Sequence, residues 1–158
     1  MFRVGDKVVY PMHGAGVIEA IEEKEILGEK KRYYVMRLPM GDMKVMIPVG
    51  NVDVVGLREV IAEEEVDKVF EVLKSKKTKM SGNWNRRYRA NLEKIKTGNI
   101  YEVAEVVRNL SLREKEKGLS TGERKMLESA RQILISEIVL AKGMEEGQAS
   151  LILDEVFA

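Results

Sequence analysis

The chain has 158 residues, 27 Lys+Arg against 26 Asp+Glu, one histidine and no cysteine. This length suits one ordinary domain or two small ones and excludes a large multidomain enzyme. With no cysteine there is no disulfide framework, thiolate zinc site, iron–sulfur cluster or cysteine nucleophile, and His13 alone offers no histidine pair to a metal.

The opening Met-Phe-Arg-Val-Gly-Asp has no apolar signal stretch, and no apolar run approaches the roughly 20 residues that cross a bilayer, so a cytoplasmic location is expected. Residues 1–58 hold all three prolines (Pro11, Pro39, Pro48) and seven of the 13 glycines, whereas residues 59–158 contain no proline. This break puts a boundary near Gly56. Before it, β-branched and aromatic runs separated by turn residues predict strands at Lys7–Tyr10, Gly16–Ile21, Arg32–Leu38, Lys44–Ile47 and Asn51–Val54. Five short strands suggest a small antiparallel barrel of the Tudor or SH3 type.

After the boundary the apolar period becomes helical. Val66, Val69, Phe70 and Leu73 mark a first helix, with Glu63–Glu65 suited to its N-terminal dipole. A second runs from about Trp84 to Lys96 and stops at Gly98. Asn99 with Glu102 and Ser120 with Glu123 form capping-box patterns that open two more, ending at Gly118 and Gly143. A last amphipathic segment covers Ala149–Phe157. The expected architecture is α+β with two domains: a β-barrel over residues 1–55 and an all-α five-helix bundle over residues 60–158.

The neutral total conceals a basic stripe. Between Lys74 and Lys96 there are nine Lys/Arg and one acid, Glu93, a local charge of +8, while residues 59–73 carry −5. So many uncompensated cations point to an anionic partner. Within the stripe, Ser81-Gly82-Asn83-Trp84-Asn85-Arg86-Arg87-Tyr88-Arg89 sets the one tryptophan at a helix start among three arginines. Arginines and helix N-terminal amides hold phosphates, and a large flat ring beside them can stack on a base or wedge into a base step. The alternative is a core tryptophan beside a solvated arginine face. Arg124-Lys125, in the first turn of a later helix, is a second basic pair placed where the dipole disfavours cations.

His13-Gly14-Ala15-Gly16 lacks the rest of a phosphate-binding glycine motif and leads into a strand, so it reads as a turn with a structural histidine. Met36, Met40, Met43 and Met46 read as gap-filling core, although Met40 and Met43 flank a turn where they could form an adaptable protein-binding surface.

Taken together these residues resemble the CarD/CdnL transcription regulators of bacteria. Phe2–Pro11 with His13–Gly16 is similar to the family's barrel signature, which is shared with the polymerase-interacting domain of the transcription-repair coupling factor. Asn83–Arg89 resembles its DNA-contacting helix start, and Gly118–Leu127 a further family motif. The resemblance implies a non-enzymatic, cofactor-free protein whose barrel binds the RNA polymerase β-subunit and whose helical domain contacts promoter DNA, stabilising the open complex. It further implies nucleoid association through polymerase, with no membrane or small-molecule partner. It assigns Trp84 to the minor groove at the upstream edge of the melted DNA, and Arg86, Arg87, Arg89, Arg124 and Lys125 to DNA. It assigns polymerase contact to Lys24, Ile26 and Met46, although Lys24 and Met46 stand where family members carry arginines, and neither reproduces a bidentate guanidinium contact. The competing expectation is an RNA-binding or ribosome-associated protein, because Tudor-like barrels and basic helices occur there too.

Overall fold

The computed structural model of the protein describes residues 1–39 and 42–158. Five strands, β1 (Lys7–Tyr10), β2 (Gly14–Ile26), β3 (Glu29–Leu38), β4 (Met43–Pro48) and β5 (Arg58–Glu59), form one antiparallel sheet in the order β4-β3-β2-β1-β5. One face is covered by a core of Val8, Ile18, Tyr34, Met36, Leu38, Ile47 and Leu57.

The expected barrel is not closed: among the described residues, β4 and β5 are separate edges. The strand expected at Asn51–Val54 is also absent. Its valines coil instead into a 3-10 turn, Val49–Asn51, and a one-turn helix, α1 (Val52–Val55), closed by Gly56 at φ 75°. Val52 and Val55, three apart, pack on the sheet core while Val54 is exposed, so the governing period is helical despite the β-branched composition. The fifth strand is instead the two-residue β5, pairing with Val8 and Val9 and lying between the expected end of the β domain at 55 and the start of the helical one at 60.

Strand β2 extends beyond the predicted Ile21 because its charged continuation finds partners. Glu23 lies opposite Arg32 and Glu25 opposite Lys30, opposite-charge pairs that support a long hairpin. Leu27 and Gly28, at φ 53° and 79°, make its two-residue turn. The Gly-Ala-Gly motif serves packing. A Cβ on Gly16 would lie 2.4 Å from the Arg37 carbonyl oxygen, and Gly14, at φ 107°, brings the chain against Ser136.

All five expected helices form: α2 (Val66–Lys74), α3 (Trp84–Lys96), α4 (Ile100–Glu116), α5 (Thr121–Lys142) and α6 (Glu146–Val156). With α1 the described residues contain six. Val103, Val107 and Leu110 of α4 and Met126, Ala130, Leu134 and Ile138 of α5 supply the centre of the helical core. None of these helices is long and apolar enough to cross a membrane, among the described residues.

Helix α5, about 33 Å long at 1.5 Å per residue, joins the two parts. Its C-terminal half lies on the sheet: Ala15 N–H donates to Ser136 Oγ at 2.9 Å and Lys7 Nζ to the Leu140 carbonyl at 3.1 Å. Arg58 of β5 grips Glu137 with two 2.7 Å hydrogen bonds and also donates to the Gly98 carbonyl, while Ile61 N–H donates to the same carboxylate at 2.9 Å. Glu137 is only 2% exposed. Glu137→Ala would leave the Arg58 guanidinium and the Ile61 amide short of an acceptor, so it should cost about 2–3 kcal/mol, read as an unfolding midpoint lower by roughly 4–12 °C. A midpoint within about 1 °C of the parent would show that the joint contributes little.

Candidate functional site

The tryptophan is placed by three elements. The segment between α2 and α3 is tied down by Asn109, whose Oδ1 accepts from Thr78 N–H at 3.2 Å and whose Nδ2 donates to Thr78 Oγ1 at 2.8 Å. Buried Arg108 donates to the Val72 carbonyl behind it. Asn83 then caps α3 by accepting from Arg86 N–H. Trp84, the first residue of α3, is 41% exposed. Its inner face stacks on Tyr88, four residues on, with centroids 4.9 Å apart and planes 18° from parallel. Its indole Nε1–H donates to Ser120 Oγ at 2.9 Å, and its ring passes over Gly122, where a Cβ would sit 3.4 Å from Cζ2. The tryptophan is thus a half-exposed plate against the N-terminus of α5, neither a core residue nor a free one.

Arg87 departs from the expectation that it faces phosphates. It is 4% exposed and forms a bidentate pair with Glu123 of α5, at 2.8 and 3.0 Å, with further bonds to the carbonyls of Ser81 and Gly82. On α3, position 87 turns inward toward α5 and positions 86 and 89 stay outside. The Arg87 guanidinium holds the Glu123 carboxyl below the usual carboxylate range, a hydrogen bond and ion pair that outweigh the cost of burial, with Arg113 adding to the effect.

The rest of the stripe is also less bare than the sequence suggests. Lys77 pairs with Glu116, Lys94 with Glu105 and Lys96 with Glu93. Lys74, Lys76, Lys79, Arg86 and Arg89 have no acidic partner among the described residues. Exposed Arg124 and Lys125 stand one turn of α5 beyond Ser120, beside the tryptophan plate, and Arg124 meets only Glu114, at 3.5 Å. Trp84, Arg86, Arg89, Arg124 and Lys125 therefore belong to exposed positions at the joined N-termini of α3 and α5, whereas Arg87 is the buried tie between those helices. Sequence reading missed Tyr88, Ser120 and Gly122 as parts of this site. The i,i+4 spacing of Trp84 and Tyr88 was available as a signal, while the Ser120 contact spans 36 residues and leaves none.

Lys24, Ile26 and Met46 share the sheet face opposite its core, with Met46 two strands across and several residues along from the other two. Lys24 and Ile26 alternate along β2, and Met46 lies opposite Val35, itself opposite Ala20 of the same β2 face. All three are exposed, and so is Leu27 at the hairpin tip. Lys24 lies directly opposite Lys31, whose ammonium meets Glu29 at 3.9 Å. Of the methionines, Met36 is fully buried and Met43 is 55% exposed; Met40 lies outside the described residues. His13 rests against the Tyr10 ring in the turn between β1 and β2. Among the described residues no three His, Asp or Glu side chains are grouped so as to hold a metal ion.

Two family models match. Residues 2–61 match the CarD-like/TRCF RID domain and residues 68–154 the CarD C-terminal domain. The Bacillus subtilis (strain 168) protein named "Putative transcription factor YdeB" is 46% identical over 148 residues, 94% of this chain and 97% of its own. The solution structure of the 72-residue N-terminal domain of Myxococcus xanthus CarD is 39% identical, with a TM-score of 0.33, over 37% of this chain and 79% of that one. A five-stranded sheet joined to a helical domain, both matched in order, defines a transcription-regulator architecture. The chain belongs to the CarD family.

Proposed function

We propose that this protein binds the β-subunit of RNA polymerase through the sheet face carrying Lys24, Ile26 and Met46, and holds promoter DNA open with the tryptophan plate at α3. The observation that carries this reading is Trp84, half-exposed at the joined N-termini of α3 and α5, where Arg86, Arg89, Arg124 and Lys125 are exposed as well. An apolar plate on helix ends that also expose cations suits a DNA minor groove at the upstream edge of melted DNA: cations meet phosphates while the ring wedges against a base step. No bond is made or broken. Opposing reannealing takes a few kcal/mol, and docking on polymerase supplies a high local concentration at the promoter.

The sheet, residues up to Glu59, is the polymerase-docking unit in this proposal, and α2–α6 the DNA-contacting unit. Helix α5 fixes their separation, with Ser120 and Glu123 near the plate at one end and Ser136 and Glu137 against the sheet at the other. Affinity capture of the full chain from a nuclease-treated bacterial extract tests the reading. RNA polymerase should remain bound after nucleic acid is destroyed. Capture of ribosomal proteins without polymerase would overturn it in favour of an RNA-associated role.

A further inference from the structure

Ser120 has an ordinary role that the sequence announces: its Oγ accepts from Glu123 N–H and caps α5. The same oxygen also receives the indole N–H of Trp84, at 2.9 Å. The indole N–H is the only polar group on that side chain. Left unpaired against the apolar interior of a base step, it would demand an acceptor from the DNA or cost the desolvation of a lone donor. We infer that Ser120 is a positioning residue for Trp84: its hydroxyl consumes the indole N–H within the protein and orients the plate, so that what enters DNA is an apolar edge that reads no base.

Three features around the bond make orientation, and not simple tethering, its effect. Tyr88 sets the plane of the ring from behind, stacked 4.9 Å away. The ring lies on the first turn of α5 over Gly122, where even a Cβ would be in van der Waals contact with Cζ2 at 3.4 Å. The buried Arg87–Glu123 pair, to which Ser120 adds only a long 3.4 Å bond on Glu123, fixes the two helix N-termini. With plane and distance set, the remaining freedom is rotation within the plane and tilt at the exposed rim, and the Ser120 bond removes it. Because donor and acceptor both belong to the protein, the wedge should tolerate different bases at the edge of the melted region.

This inference rests on the wedge reading, and its test separates the two. Ser120→Gly removes the hydroxyl, and with it the long 3.4 Å bond to Glu123, while glycine still caps a helix almost as well as serine, so the unfolding midpoint should fall by only a few degrees. Trp84 is the single tryptophan of the chain, so its indole N–H gives one unambiguous proton resonance. In Ser120→Gly that resonance should shift and lose protection from solvent exchange, and open promoter complexes formed with the full chain and polymerase should decay about two- to tenfold faster, the change one hydrogen bond makes to an equilibrium. Ser120→Thr keeps the hydroxyl and should restore both readouts. In a Trp84→Phe background, which has no indole N–H, Ser120→Gly should have no further effect on decay. If Trp84→Ala itself leaves decay unchanged, the wedge reading fails and this inference with it. If Trp84→Ala speeds decay but Ser120→Gly does not, the wedge stands and the positioning role is wrong. An equal loss from Ser120→Gly in the parent and in the Trp84→Phe background would likewise reduce Ser120 to a helix cap.

Discussion

Arg87→Ala should lower folding stability by about 3–5 kcal/mol, the largest loss expected from any single change at the α3–α5 junction. The substitution leaves Glu123, 2% exposed, as a buried carboxylate without its guanidinium, and frees the carbonyls of Ser81 and Gly82. The cost is that of stranding a charge and not the net worth of the pair, so Arg87→Met combined with Glu123→Met should recover most of it. Arg89→Ala, at an exposed position two residues away, should change stability by less than about 0.5 kcal/mol. Thermal unfolding of these variants beside the parent checks the ranking. A midpoint for Arg87→Ala equal to that of Arg89→Ala would contradict the buried-tie assignment.

The same pair sets a pH dependence. The folded Glu123 carboxyl lies below its ordinary value of 4.5, held there by Arg87, so the stabilisation is fully present above that ordinary value and drains away as pH falls through the lowered folded one. Between neutral pH and about 5 the pair should therefore contribute a constant amount, with the loss confined to stronger acid. In Arg87→Ala the carboxyl loses its partner and burial favours its neutral form. Acidification should then destabilise that variant less than the parent.

What the sequence disclosed and what it hid follow from the range over which each signal acts. The five long helices were legible because each carries its own apolar period, and three of them a cap as well: Asn83, Asn99 and Ser120 cap the helices they precede. Strands β1, β3 and β4 were visible for the same local reason. The last strand was not, since Arg58–Glu59 is too short to show a period and owes its existence to backbone pairing with β1. Asn51–Val54 has strand-like composition, yet Gly56 in the left-handed region and the packing of Val52 and Val55 close it into a helical turn. At the site the division is the same. Trp84 and its exposed arginines stood out by residue type, whereas Arg87, chemically identical to its neighbours in the sequence, is distinguished only by Glu123, 36 positions away. The stripe looked nearly unopposed because three of the acids that meet it, Glu105, Glu116 and Glu123, come from outside it.

In the proposed function Trp84 acts on DNA and not on the fold, and the two roles predict different losses on its removal. With 41% of its surface exposed, Trp84 gives the protein a stack on Tyr88 and one hydrogen bond, together about 1–3 kcal/mol, against roughly 3–5 for a fully buried tryptophan. A ring stacked at the edge of melted DNA is worth about 1–3 kcal/mol, and each 1.4 kcal/mol is tenfold in an equilibrium or a lifetime. The decisive measurement is the decay rate of open promoter complexes formed with Trp84→Ala, taken beside the unfolding midpoint of the same variant. The account predicts decay about tenfold faster, polymerase binding unchanged and a midpoint lower by only a few degrees. A large drop in the midpoint with parental decay kinetics per folded molecule would contradict it and make Trp84 a structural residue.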